Sequence, residues 1–134
     1  MLESLVPFGF DRDSHAPIVV LWYRGQTHRD EVQACLDALA EEFESWSGPG
    51  WILFDFGGVS EFDSGNRRLL ASWRAKNAPL IRQKIDAAAY VFTSRLTRGF
   101  LTAVDWLRPN DGMVRRFFQS RAEAIDWLQA REAA

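Results

Sequence analysis

Short apolar runs alternate along the chain with longer stretches of helical periodicity. The runs are rich in β-branched and aromatic residues and are bounded by Gly, Pro, Asp or Ser, which is typical of strands. Between most of them, apolar residues recur three and four positions apart, which indicates helices with one buried face. The predicted strands are Leu2–Phe10, Ile18–Tyr23, Trp51–Phe56, Ala87–Thr93 and Met113–Phe118.

Each predicted helix begins next to polar residues that can cap its free backbone N–H groups. Two of these starts have the spacing of a capping box, in which two side chains bond each other's backbone N–H groups. Pro79 interrupts the second helical pattern and predicts a kink or a new short helix there. The predicted caps are Thr27 with Asp30, Asp63 with Ser64, Ser94 for a third helix Arg95–Leu107, and Ser120 with Glu123.

The helical periodicity also predicts which side chains face the core. Along the first helix the acidic residues fall mostly opposite the apolar stripe and are expected on the solvated face. Those acidic residues are Glu31, Asp37, Glu41, Glu42 and Glu44. The predicted core residues are Val32, Cys35, Leu36, Leu39 and Phe43, then Leu69, Leu70, Trp73, Leu80 and Ile81, and finally Ala124, Ile125 and Leu128.

The order of the elements predicts an α/β fold. Strands that alternate with helices need crossover connections, which give a largely parallel sheet. The first two strands have no helix between them and predict an antiparallel N-terminal β-hairpin, so the sheet is mixed and about four helices accompany it. Gly57-Gly58 is expected to end the third strand. With no repeat and no linker, residues 1–134 are expected to form a single domain.

Composition narrows the classes of function. A formal net charge of −2 and a pI near 5.7 argue against nucleic-acid binding that depends on phosphate neutralisation. The single cysteine, Cys35, excludes an internal disulfide and a Cys-rich zinc site, and is expected to act as a small apolar residue on a helix. The chain has neither a long apolar run nor a signal-peptide pattern, so a cytoplasmic protein without a transmembrane segment is expected.

No set of residues in the sequence indicates catalysis. His15 and His28 lie in or beside turns and share no metal-binding spacing with Cys35, while phosphate-cradling loops and nucleophile elbows are absent. Asp55, near the end of a predicted strand, resembles the phosphoacceptor of a response-regulator receiver. A receiver needs an acidic pair after its first strand, and here that position reads Trp22-Tyr23-Arg24-Gly25. We expect no enzyme, no metal and no cofactor; an active site completed only in an oligomer is the alternative.

The segment Asp55–Gly65, which reads DFGGVSEFDSG, resembles the signature of STAS domains, the family of sulfate transporters and anti-sigma factor antagonists. In that signature a buried strand ends in Asp, a Gly-Val step follows, and Asp-Ser opens the next helix. The order of elements matches the family along nearly the whole chain. The resemblance implies a STAS-like fold and a non-catalytic bacterial regulatory module that acts through protein partners, such as a kinase or an anti-sigma-like regulator.

In regulatory members of the family, the serine of the Asp-Ser pair is phosphorylated by a partner kinase. By position that serine is Ser64 here. The partner surface implied by the resemblance is Gly58, Val59, Ser60, Asp63, Ser64, Arg67 and Arg68. The chain departs from the family after the serine, where Gly65-Asn66-Arg67-Arg68 replaces small and apolar residues. The two arginines can pair with a phosphate or simply be solvated, and Asp63 and Ser64 can be ordinary caps.

Two further hypotheses come from the second half of the chain. Ser94–Gly99 and Phe118–Ala124 resemble small STAS-like proteins related to lipid-binding CRAL-TRIO domains, which implies a small-ligand or lipid-binding module as the alternative function. A pocket lined by Trp73, Phe100 and Trp106 would favour this alternative, and a well-filled core would count against it. Leu101 and Trp106 fall outside the apolar stripe of the predicted third helix. They favour a partner or homodimer surface, unless that helix is buried more broadly than usual.

Overall fold

The computed structural model describes residues 7–26, 28–61, 63–92 and 114–134, with backbone alone for Ser60 and Glu61. The predicted third helix, with Ser94, Phe100, Leu101 and Trp106, lies outside the described residues, as do Leu2 to Val6 of the first predicted strand. The described strands are β1 Phe8–Asp11, β2 Val19–Gln26, β3 Gly50–Glu61, β4 Ile85–Val91 and β5 Val114–Phe118. The described helices are α1 Arg29–Ser45, α2 Ser64–Lys76, α3 Ala78–Lys84 and α4 Arg121–Ala133.

The five strands form one sheet in the order β1-β2-β3-β4-β5, the same as their order in the chain. β1 and β2 pair antiparallel, and every later neighbour pairs parallel. The predicted α/β class, the mostly parallel sheet and the opening hairpin are therefore confirmed.

The sheet has a core on each face. The first-face core lies between the sheet and α1 to α3, and contains Leu21, Phe54 and Tyr90 from the strands with Leu36, Leu39 and Phe43 from α1. The second-face core lies between the sheet and α4, where Ala124, Ile125 and Leu128 cover Val20, Leu53, Ala89 and Val91. Because both faces are covered, β3 and β4 read as nearly continuous apolar runs.

The break between α2 and α3 confirms the prediction from Pro79. α2 ends at Lys76, and α3 begins at Ala78 with the proline in its first turn. Proline is tolerated there because the first N–H groups of a helix have no partner within the helix. The cap of α4 is also confirmed, since the backbone N–H of Glu123 donates to Oγ of Ser120 at 3.2 Å.

The predicted cap of α1 is wrong by one position. The helix is preceded by His28, which makes no side-chain capping bond, and Asp30 is the second helical residue. Two acidic residues in the first turn, Asp30 and Glu31, provide the negative charge that favours the positive end of the helix dipole instead. Thr27 lies outside the described residues.

Glu42 was expected on the solvated face of α1 and is buried. Its carboxylate accepts from Nε of Arg12 at 2.8 Å and from the indole N–H of Trp46 at 2.9 Å. A carboxylate at a buried position of a helix needs such partners, because an unpaired buried charge is costly. Arg12 comes from the turn between β1 and β2, so periodicity along α1 could not reveal it.

Gly57-Gly58 does not end β3, which continues to Glu61. The last residues of β2 pair with this extension, Arg24 with Gly58 and Gly25 with Val59, across two register irregularities. A Cβ atom at position 58 would lie 2.8 Å from Cβ of Arg24. The glycine thus allows a close approach between the two strands, and the strand continues where turn propensity predicted a break.

Candidate functional site

The predicted partner surface is brought together at the carboxyl end of β3 and the first two turns of α2. Gly58 and Arg68 are exposed, Arg67 is half-buried, and Ser60 belongs to β3 by its backbone. Val59 is an exception because it is 4% exposed and packs in the first-face core. The Val59 side chain therefore anchors the end of β3 in the core and is not available to a partner.

Asp63 caps α2, as the sequence predicts. Its Oδ1 accepts the backbone N–H of Asn66 at 2.8 Å, and its carbonyl accepts the N–H of Arg67 at 3.0 Å. Ser64 is the first residue of the helix and is exposed. The capping role thus falls to Asp63, and the Ser64 hydroxyl lies at the surface beside the positive end of the helix dipole.

Arg29, the first residue of α1, is a site residue that sequence reasoning missed. Its guanidinium lies against Gly65, so closely that a Cβ atom at position 65 would overlap its Nη2 atom. Arg68 follows Ser64 by one helical turn and is on the same side of α2. The start of α2 therefore has a cation from α1 beside Gly65 and a cation at Arg68, together with the Asp63 carboxylate, whose Oδ1 is 3.3 Å from the same Cβ position at Gly65. In the sequence, only Gly65 indicates that another group packs closely against the start of α2. The glycine does not identify that group as Arg29.

Asp55 connects the start of this site to α4. Its Oδ1 accepts the backbone N–H of Gly57 at 3.0 Å, and its Oδ2 accepts from Nε of Arg121 at 2.8 Å. The Nη2 atom of Arg121 lies 2.7 Å from the same oxygen. Asp55 therefore bonds within the fold, fixing the backbone just before Gly58. This arrangement gives no support to a receiver-like phosphoacceptor role.

Trp73 borders an apolar cavity of about 50 Å³ beneath α2 and α3. Pockets for drug-sized ligands usually measure about 300–1,000 Å³. Phe100 and Trp106, the other members of the predicted ligand pocket, lie outside the described residues. The described part of this region is a small gap in the first-face core.

The remaining candidates for chemistry are few in the described part of the chain. Burial raises the pKa of the Cys35 thiol to about 12, and the side chain belongs to the first-face core. Cys35 is therefore a buried apolar residue on α1, as predicted. Residues 7–26, 28–61, 63–92 and 114–134 contain no cluster of three metal-ligating side chains, and none of their helices is long and apolar enough to span a membrane.

Comparison with solved structures identifies the fold. An anti-sigma factor antagonist from Mycobacterium paratuberculosis superposes with a TM-score of 0.62 at 17% identity, covering 91% of this chain and 92% of that one. The anti-sigma factor antagonist SpoIIAA, in its unphosphorylated form, gives 0.58 at 17% identity, with coverage of 92% and 96%. The chain has a SpoIIAA-like fold. This is the STAS-type architecture that the Asp55–Gly65 segment implied.

A third neighbour with the SpoIIAA-like fold is an uncharacterised DUF3478-family protein from Shewanella loihica PV-4. It superposes with a TM-score of 0.61 at 16% identity, covering 90% of this chain and 91% of that chain. Comparison of the sequence with protein-family models and with curated proteins gives no match. At these identities the SpoIIAA-like likeness establishes the fold, and function has to be argued from the site.

Proposed function

We propose that this chain is a bacterial cytoplasmic regulatory module of the anti-sigma factor antagonist kind, which acts by binding a protein partner and not by catalysis. Its partner surface is the exposed part of Gly58–Arg68, and phosphorylation of Ser64 by a partner kinase switches it. The observation that carries the proposal is the position of Ser64, which is exposed at the first residue of α2 while Asp63 caps the helix. A kinase can reach this hydroxyl without breaking the cap.

The electrostatics of the site support a phosphoserine at this position. A phosphate carries a charge of about −1.5 to −2, and the N-terminus of a helix favours an anion. The guanidinium of Arg29 lies beside Gly65, the next residue along the chain. Arg68 follows one turn later on the same side of α2. These two cations offset the negative charge that a phosphate adds beside the Asp63 carboxylate.

The same charge changes what the surface can bind. A partner face that contacts a neutral hydroxyl buries Ser64 in the interface. Adding a phosphate there introduces a bulky dianion that must be desolvated for the same contact to form, which costs binding free energy. The switch therefore acts directly at the interface and leaves the two cores of the domain unchanged.

The test compares Ser64→Asp with Ser72→Asp, which adds the same charge at another exposed position of α2. The tagged protein is first recovered from its native cells, and mass spectrometry identifies the bound partner and the phosphorylated residue. We expect a phosphate on Ser64 and a change of about tenfold or more in partner affinity for Ser64→Asp alone.

Both variants should keep the melting temperature of the parent protein, which separates a binding effect from unfolding. Equal partner affinities for parent and Ser64→Asp would contradict the switch while leaving the interaction role in place. Recovery of the protein with a bound small molecule or lipid and no protein partner would contradict the interaction role itself.

A further inference from the structure

An open pocket of about 410 Å³ lies where β2 and β3 begin, at the end of the sheet opposite to Ser64. Its wall comes from the start of both strands, the end of α1 and the loop between α1 and β3. The volume falls within the range of about 300–1,000 Å³ that small-ligand pockets occupy. Trp46 and Trp51 line the pocket together with Pro17 and Pro49. The chemistry of these two tryptophans decides which ligand can bind there.

Trp46 is held in place from three sides. Its indole N–H donates to Oε2 of the buried Glu42 at 2.9 Å, and its ring meets the Phe43 ring edge-on at a centroid distance of 5.2 Å. Gly50 leaves room for the indole, since a Cβ atom there would lie 2.9 Å from Cζ3 of Trp46. The ring is therefore in position before a ligand binds, which lowers the entropic cost of binding.

Trp51 is bonded in a similar way. Its indole N–H donates to Oδ2 of Asp86 at 3.0 Å, and its side chain packs against the second-face core. Both indole N–H groups thus already have a carboxylate acceptor. What Trp46 and Trp51 can offer a ligand is ring surface, and a ligand that needs an indole N–H donor finds none here.

The charge around the pocket favours a cation. The pocket lies at the C-terminal end of α1, which is the negative end of the helix dipole, and the last turn of α1 has no basic residue but an exposed Glu44. The charges of Glu42 and Arg12 offset each other in an ion pair. Lys84 reaches this end from α3 and donates to the carbonyl of Trp46. No charged side chain of the described residues lines the pocket itself.

The lining favours a cation that has no N–H donors. Apart from the two indoles, its side chains are apolar except for the hydroxyls of Ser45 and Ser47. The Ser45 hydroxyl already donates to the carbonyl of Glu42 at 2.6 Å. A primary ammonium or a guanidinium needs several acceptors for its N–H groups once water is removed. A quaternary ammonium needs none, and its methyl groups can pack directly against aromatic rings.

We propose that this pocket binds a quaternary ammonium group, with the methylated nitrogen placed between Trp46 and Trp51. A cation is attracted to the face of an aromatic ring, and tryptophan gives the strongest attraction of the aromatic side chains. Choline and the headgroup of phosphatidylcholine both carry this group, so the ligand is either a free compound or a lipid. The site is separate from Ser64 and adds a second binding function to the domain.

Titration of the full chain with choline tests the requirement for charge. The control is the neutral alcohol in which carbon replaces the nitrogen of choline. We expect choline to bind about tenfold or more tightly than this isostere. In proton–nitrogen NMR spectra the indole signals of Trp46 and Trp51 should shift, whereas those of Trp22, Trp73 and Trp127 should stay in place. Absence of choline binding, equal affinities for the two compounds, or shifts confined to the other three indoles would overturn the proposal.

Ser47→Lys tests the position of the site, because Ser47 is exposed and lines the pocket. The added ammonium repels the ligand, so the affinity for choline should fall about tenfold or more. Ser72→Lys adds the same charge at an exposed position of α2 and should bind choline like the parent. The melting temperature establishes that both variants are folded. Equal choline affinities for Ser47→Lys and Ser72→Lys would overturn the proposal.

Sedimentation with phosphatidylcholine vesicles distinguishes the two sources of the group once choline binding is measured. Binding to the vesicles that is lost in Ser47→Lys assigns the ligand to a lipid headgroup. Choline binding without vesicle binding assigns it to a free compound. None of these outcomes depends on Ser64, so they leave the proposed switch untouched.

Discussion

Single glycines decide how closely the elements of this domain approach one another. Gly58 in β3 allows β2 to come near, because a Cβ atom there would meet Cβ of Arg24 at 2.8 Å and its Cα at 3.4 Å. These neighbours are close to the backbone and cannot move aside as the end of a long side chain can. Gly48, in the loop after α1, has open space around the position of a Cβ atom.

We therefore expect Gly58→Ala to lower the free energy of unfolding by about 1–3 kcal/mol, the usual cost of overpacking. Gly48→Ala is the control and should stay within about 0.5 kcal/mol of the parent. Urea denaturation of the three proteins measures both values. Equal stabilities of the two variants would mean that the strands separate at Gly58 without cost.

A second residue-scale effect concerns the turn after β1. The Asp11 carboxylate accepts the backbone N–H groups of Asp13 at 3.1 Å and Ser14 at 3.0 Å. Hydrogen bonds from Ser14, and then from Asp13, lower its pKa from 3.8 to about 2. Since these bonds favour the charged form, the folded state binds a proton less readily than the unfolded state.

The lowered pKa of Asp11 predicts a dependence of stability on pH. The contribution is fully present above the unfolded pKa of 3.8, and is lost as pH falls through the folded pKa of about 2. The stability difference between the parent and Asp11→Asn should thus be largest above about pH 4 and shrink towards pH 2. Urea titrations at a series of pH values measure it, and a difference that does not vary with pH would contradict this explanation.

At the scale of elements, the ion pair between Asp55 and Arg121 joins the middle of β3 to the first turn of α4. The side chain of Asp55 is 17% exposed and that of Arg121 is 41% exposed, so solvent screens the pair in part. The aspartate also holds the N–H of Gly57, next to the proposed partner surface. The contact thus links the helix on the second face to a surface on the other side of the sheet.

A double-mutant cycle with Asp55→Asn and Arg121→Met should give a coupling energy of about 0.5–1 kcal/mol, as expected for a partly exposed pair. Each single variant and the double variant are unfolded in urea to obtain it. A coupling energy of zero would show that the two side chains meet without stabilising the docking of α4.

The sequence predicts an element well when the residues that determine it are close together in the chain. The strands β2 to β4 and the break between α2 and α3 at Pro79 are determined by residues close together in the chain. The local sequence pattern is therefore enough to locate them. The continuation of β3 past Gly57 depends on the end of β2, and the burial of Glu42 depends on Arg12 from the opening hairpin. Both features depend on residues that are distant in the chain. Turn propensity at Gly57-Gly58 cannot reveal the pairing with β2, and periodicity along α1 cannot reveal the contact with Arg12.

The candidate site divides in the same way. Asp63 as a cap and Ser64 at the helix start were predictable because their geometry is set within one turn of α2. Val59 was expected at the partner surface but packs in the core, since alternation along the unexpected strand extension decides its direction. Arg29 was missed because it reaches Gly65 from another helix.

On the scale of the whole molecule, the two faces of the sheet are completed by different parts of the chain. α1, α2 and α3 cover the first face and all precede β4, whereas α4 follows β5 and covers the second face. The second face is made mostly of strands that come much earlier in the sequence. Its protection from water therefore depends on the last described helix.

This arrangement has a consequence for synthesis on the ribosome. Because the described strands have the same order in the sheet as in the chain, each of them can join the growing edge as it emerges, and none of these five has to be inserted between two others. Val20, Leu53 and Ala89 nevertheless face water until α4 leaves the exit tunnel. The nascent domain thus passes through a stage with an assembled sheet and one bare apolar face, which is a surface that chaperones recognise.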